Sequence, residues 1–246
     1  MKAGFSAMTL AVALILAGCG DDSGNLTAAA ANSNAPLPQI PAPNNGNWAE
    51  TITQTPDGGF LMGNPNAPVK LVEYASYTCP HCATFSQAAG APLRETYVRS
   101  GQVSWEYRSF LRNAQDVAIS LLVQCMPADA VFRTADQIFA QQQELLGSID
   151  ESEGQRLSAL PPEQQIAPLA RAMELDTFFA RRGIPESRFS QCLGDAQMVQ
   201  RLTDVTNRAV SELQVQGTPT FLINGEKLDV SEWSGVESRL RAAIGG

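Results

Sequence analysis

One histidine and five cysteines are all that these 246 residues offer of the side chains most used in nucleophilic and metal chemistry. Positive charge is also scarce. There are 17 Lys+Arg against 25 Asp+Glu, for a formal charge of -8, and the basic residues form no long run. The basic footprint that nucleic-acid binding needs is therefore missing, which excludes nucleic acid as an expected partner. Long apolar stretches are missing too. The one candidate, Phe5 to Gly18, is 14 residues long, too short to span a bilayer comfortably, so a multi-span membrane protein is excluded. What is present, 44% hydrophobic and 17% charged residues, suits one or two soluble globular domains. The single histidine, His81, lies between Cys79 and Cys82, so the chemistry is sought there.

Lys2, the apolar run through Leu10, Val12, Leu14 and Leu16, and the small residues after it read as a signal peptide over residues 1–18. Leu16-Ala17-Gly18-Cys19 resembles a bacterial lipobox, which implies lipidation of Cys19 and attachment to a membrane. The alternative is an ordinary signal peptide or uncleaved anchor that contains a cysteine. Residues 19–55 are rich in Asp, Asn, Ala, Pro, Gly and Ser and predict a flexible tether, with a reach of ~30–35 Å. Trp48, its one large aromatic residue, is expected to dock locally.

Val69 to Ala75 is a short apolar run that predicts a strand, and the stretch from Pro80 to about Val98 predicts a helix. The alternation in Val103 to Tyr107 predicts a second strand, making a right-handed βαβ unit with a parallel pair. Helical periodicity dominates residues 113–212, broken at Pro161-Pro162 and Gly183-Ile184-Pro185. Strand character returns at Thr218 to Ile223. Asn224-Gly225 predicts a hairpin turn into Glu226 to Val230, and Ser231 predicts the cap of a last helix. Residues 56–112 and 213–246 thus bracket a helical insertion at 113–212.

In Cys79-Pro80-His81-Cys82, Pro80 suits the first helical position because its missing N–H would have no partner there. Cys79 then falls at the helix N-cap, where free backbone N–H groups and the positive dipole end favour thiolate. Cys82, three residues on, can attack a mixed disulfide formed at Cys79. Two other readings stay open: half of a zinc site, and a purely structural disulfide. Four-ligand zinc would have to recruit Cys125, Cys192 or His81, and so tight a disulfide loop constrains little of the unfolded chain.

The Cys-Pro-His-Cys tetrapeptide after an apolar strand, the helical insertion, Thr218-Pro219-Thr220 before a hairpin and a final helix together resemble the DsbA-type thiol–disulfide oxidoreductases. The resemblance covers roughly residues 56–245. It implies an α/β, thioredoxin-like fold with an inserted helical subdomain, and no cofactor or metal. It also implies that Pro219 has a cis peptide bond facing the active-site cysteines, with the Thr218 backbone offered to a substrate strand. Glu73 matches the family's buried acid, which relays the proton of the resolving thiol. On a strand among Val69, Leu71 and Val72 such an acid is costly without a partner. A surface-facing strand end is the alternative.

With Cys19 assigned to lipid and Cys79 and Cys82 to redox, Cys125 and Cys192 remain. In an oxidising compartment an even remainder usually pairs, the alternative being two buried free thiols. The expected protein is a periplasmic, lipid-anchored monomer that introduces disulfides into exported proteins and is reoxidised by a membrane quinone-linked partner. A reductase or isomerase, and a non-catalytic tethered binding module, are the rivals. No dimerisation domain is evident ahead of the site, which argues against the dimeric isomerases.

Overall fold

The structure is a computed structural model that describes Met1 and residues 36–245. Cys19 and the signal-peptide segment lie outside the described residues.

Six strands form one sheet among the described residues: β1 (Ile52–Gln54), β2 (Phe60–Gly63), β3 (Val69–Ala75), β4 (Val103–Ser109), β5 (Thr220–Ile223) and β6 (Glu226–Lys227), in the order β1-β2-β4-β3-β5-β6. Only β3 and β4 run parallel, with Glu73 opposite Tyr107. The other neighbours are antiparallel, and β5 places Phe221 opposite Glu73 on its other side. A central strand is covered on both faces, which explains why β3 is nearly continuous in apolar residues rather than alternating. Between β3 and β4 runs α1 (Pro80–Pro92), which continues into a π-helical turn at Leu93–Val98.

The insertion holds α2 (Ala114–Gln124), α3 (Val131–Ala140), α4 (Gln142–Gly147), α5 (Glu151–Ser158), α6 (Pro162–Ala172), α7 (Leu175–Ala180) and α8 (Glu186–Leu193). Asn113 caps α2 by accepting the Asp116 N–H, and Asp150 caps α5 in the same way. The long α9 (Ala196–Ser211) follows, and α10 (Trp233–Gly245) ends the fold. On one sheet face α1 and α10 pack through Phe85, Phe221 and Trp233. On the other, Val205 and Ala209 of α9 join Tyr74 and Leu222 in a second, smaller core.

Three boundaries differ from the sequence reading. Residues 36–55 are not a free tether: Trp48 is buried at 8% exposure, its Nε1 donates to the Ile40 carbonyl, and the Ile40 N–H donates to Ser100. Leu37 and Ile52 pack on the core as well. Each apolar residue stands alone among polar ones, so no periodicity marks the segment, yet docking buries them one at a time. The helix α9, counted with the insertion by its periodicity, also covers the sheet, because Val205 and Ala209 pack with Tyr74 and Leu222 of the strands. At the end of the chain β6 stops at Lys227, and Glu232 rather than Ser231 accepts the first bond of α10, from Val236.

Candidate active site

Cys79 sits where β3 gives way to α1. Its backbone is extended (φ -88°, ψ 120°), Pro80 occupies the first turn, and the Ala83 N–H bonds to the Cys79 carbonyl at 3.2 Å. The uncapped helix end therefore turns its free N–H groups on the Cys79 sulfur rather than on a side-chain oxygen. Both sulfurs of the Cys79/Cys82 pair are free thiols in this structure and both are buried. The Cys79 sulfur lies 3.1 Å from the Thr218 carbonyl oxygen, next to the cis Thr218–Pro219 peptide.

The two cysteines are electrostatically unlike. The Cys79 thiol is held down to about 4 from its ordinary 9.0, first by the hydrogen bond from Cys82. The Thr218 hydroxyl and the backbone N–H groups of Cys82 and His81 add to this, against the opposing cost of burial. Cys82 moves the other way, far above its ordinary value, because it is buried and because it donates to Cys79. One proton shared between two sulfurs thus settles on Cys82, and Cys79 carries the charge.

Glu73 is 2% exposed on the central strand β3. Burial pushes its pKa up to about 8; the Trp105 indole, donating to Oε2 at 2.9 Å, opposes the shift, and the charge of Asp136 adds to it. Its charge is felt at Cys82, Tyr77 and Tyr107. A carboxyl of this kind is mostly protonated at neutral pH.

A cavity of about 570 Å³ opens beside the pair, lined by His81, Phe85, Thr218, Pro219, Glu232 and Trp233 among others. His81 is exposed on its rim. Cys79, Pro80, His81, Cys82, Glu73, Thr218 and Pro219 thus form one neighbourhood. Cys125 and Cys192 stand apart from it, joined as a disulfide between the ends of α2 and α8 with Cα atoms 6.1 Å apart. Among the described residues no cluster of three His, Cys, Asp or Glu side chains is placed to hold a metal. No helix there is long and apolar enough to cross a membrane.

Sequence reasoning did not single out Trp105, the partner of Glu73, or two polar residues of the insertion, Asp116 and Gln142, that hold the loop before Cys79. Trp105 lies two residues before Tyr107, on the strand face that carries Glu73's neighbours. That pairing becomes visible only once the parallel register is known.

The family model described as Thioredoxin matches residues 55–242. A *Rickettsia felis* protein provisionally named a protein-disulfide oxidoreductase is 27% identical over 170 residues, covering 69% of this chain and 54% of that protein. The chain thus spans about half the length of the curated relatives it matches. Among solved structures, a protein-disulfide isomerase from *Novosphingobium aromaticivorans* is 28% identical with a TM-score of 0.72, covering 76% of this chain and 97% of that one. *Wolbachia pipientis* α-DsbA1 shares the fold at a TM-score of 0.58 and 19% identity, over 80% of this chain and 97% of that one. With the match over most of its length and the dithiol at the start of α1, the chain belongs to the thioredoxin family and has the fold of its DsbA-type members.

Proposed function

We propose that this protein is a thiol–disulfide oxidoreductase that works as an oxidase on exported proteins. It is secreted, held to a membrane through lipid on Cys19, and reoxidised by a quinone-linked membrane partner. The observation that carries the oxidase direction is the opposite displacement of the two thiols, Cys79 down to about 4 and Cys82 up.

The steps follow from that asymmetry. A substrate thiolate attacks the Cys79 sulfur of the Cys79–Cys82 disulfide, the S–S bond breaks, and Cys82 leaves and takes up a proton, for which protonated Glu73, whose charge is felt at Cys82, is the source. A second substrate thiolate then attacks its partner sulfur in the mixed disulfide and expels Cys79. A thiolate of low pKa leaves fast. The substrate dithiol is oxidised by two electrons, which remain on Cys79 and Cys82, and Glu73 recovers its proton from solvent. The reverse outcome, reduction of a substrate disulfide, needs Cys82 to attack as thiolate, and its raised pKa keeps that species scarce at neutral pH.

The same asymmetry sets the potential. Between the Cys79 value of about 4 and pH 7 lie three units, worth up to about 4 kcal/mol in favour of the reduced form. That corresponds to roughly 90 mV. Thioredoxin, whose reactive thiol titrates near ~7, stands at about -270 mV, so this pair is expected to be more oxidising than that. Equilibration with glutathione at pH 7 tests this directly. A value at or below about -270 mV would contradict the oxidase reading and favour reductase or isomerase work, a second reading supported by the printed name of the *N. aromaticivorans* structure.

A further inference from the structure

The loop Ser76-Tyr77-Thr78, which leads β3 into Cys79, is gripped from the inserted helices on both its donor and its acceptor side. Asp116, in the first turn of α2 and 1% exposed, takes the donors. It accepts from Ser76 Oγ at 2.9 Å, from the Thr78 N–H at 3.0 Å and from Thr78 Oγ1 at 3.1 Å. The Arg112 N–H supplies a further bond at 3.0 Å. Asn113 steadies both partners, accepting the Asp116 N–H at 2.9 Å while its Nδ2 lies 3.1 Å from Thr78 Oγ1.

Gln142, buried at the start of α4, supplies the acceptor side. Its Nε2 donates to the Tyr77 carbonyl at 2.8 Å and to the Cys79 carbonyl at 3.0 Å. Both hydrogens of the amide are used on this one loop. Between the two grips the Tyr77 ring is buried against Tyr107 and Phe139, at centroid distances of 5.4 and 5.5 Å. Buried polar side chains are costly unless matched, and Asp116 and Gln142 find their matches mainly on the four residues that end at Cys79.

We propose that Asp116 and Gln142 are positioning residues for the reaction: together they lock the Ser76–Cys79 backbone so that the Cys79 sulfur stays at the N-terminus of α1 as the reacting thiolate. The inference rests on the thiol-exchange reading above. Gln142 bonds the same Cys79 carbonyl that starts α1. A rotation of that peptide would turn the His81 and Cys82 N–H groups off the sulfur. The inserted helices thereby act on the chemistry through the backbone that leads into Cys79.

The test uses the full chain with Gln142→Leu, Asp116→Asn, the milder Thr78→Val, and Gln143→Ala, an exposed neighbour outside the clamp, as control. The Cys79 thiolate is titrated by its ultraviolet absorbance in the reduced protein, and the dithiol is equilibrated with glutathione. Gln142→Leu and Asp116→Asn are expected to raise the Cys79 titration by about one unit or more and to move the glutathione equilibrium about tenfold toward the disulfide. Thr78→Val should shift both by less, and Gln143→Ala by nothing. Lower melting temperatures with an unchanged Cys79 titration would mean that the two residues only stabilise the fold, and would overturn the proposal. Should the larger changes prevent folding, Thr78→Val decides, and an unmoved titration there overturns it equally. The titration needs no exchange partner and so judges the clamp alone, whereas a parent protein inert toward glutathione overturns the thiol-exchange reading.

Discussion

Two sulfurs three residues apart behave differently because of where one helix begins. Cys79 faces the unpaired N–H groups of the first turn, while Cys82, one turn in, is buried and feels the charge of Glu73. Cys82→Ser is therefore expected to leave an exchange-competent Cys79 that accumulates mixed disulfides with exported proteins, and Cys79→Ser to abolish exchange. Recovery of mixed disulfides through Cys82 in the Cys79→Ser protein, read by mass mapping, would reverse the assignment. Glu73 yields a separate test in the oxidised protein, where neither sulfur of the pair titrates. Its folded pKa, about 8, lies above the ordinary 4.5. Its burial is thus tolerated without penalty below 4.5, and stability is lost as pH rises from there through about 8. Glu73→Gln removes that loss. The variant should gain on the parent in unfolding free energy, read from urea titrations between pH 5 and pH 9, by up to several kcal/mol, and parallel pH profiles would show that Glu73 ionises normally.

Among the elements, the central ones were the legible ones. The strand β3, the helix α1, the strand β4 and the hairpin of β5 and β6 each have strong local signals: an apolar run, a proline at the first turn, alternation, and Asn224-Gly225. The hairpin of β1 and β2 escaped because three and four residues carry too little pattern, and its pairing with β4 is set by tertiary contact. In the site, Cys79, Cys82, Glu73 and Pro219 could be read from sequence because each stands at a fixed offset from a recognisable turn or strand. Asp116 and Gln142 could not, since an acid in a helix's first turn and a glutamine in a run of three look like ordinary surface residues until their helices are packed. The bridge between α2 and α8 belongs to this scale as well. It closes 67 residues, for which loop entropy predicts a contribution of ~4 kcal/mol less any strain. Cys125→Ala/Cys192→Ala should unfold at correspondingly lower urea, and in the unreduced parent neither thiol should be alkylated. Free alkylation of both would contradict the bridge.

For the whole molecule, redox potential and folding stability are two sides of one cycle: a strong oxidant is a protein whose reduced form is the more stable. The thiolate of Cys79, with a folded pKa of about 4 against an ordinary 9.0, stabilises the reduced fold fully above pH 9. That contribution falls by about 1.36 kcal/mol for each unit of acidification and is lost once pH passes below the folded value. The measurement that bears most directly on the oxidase claim is the melting temperature of the reduced against the oxidised protein, in a Cys125→Ala/Cys192→Ala background so that only the Cys79/Cys82 pair changes state. At neutral pH the reduced protein is expected to melt higher, with the gap shrinking steadily toward pH 4. A protein that melts higher when oxidised at neutral pH would be poised as a reductant, and the oxidase claim would fail.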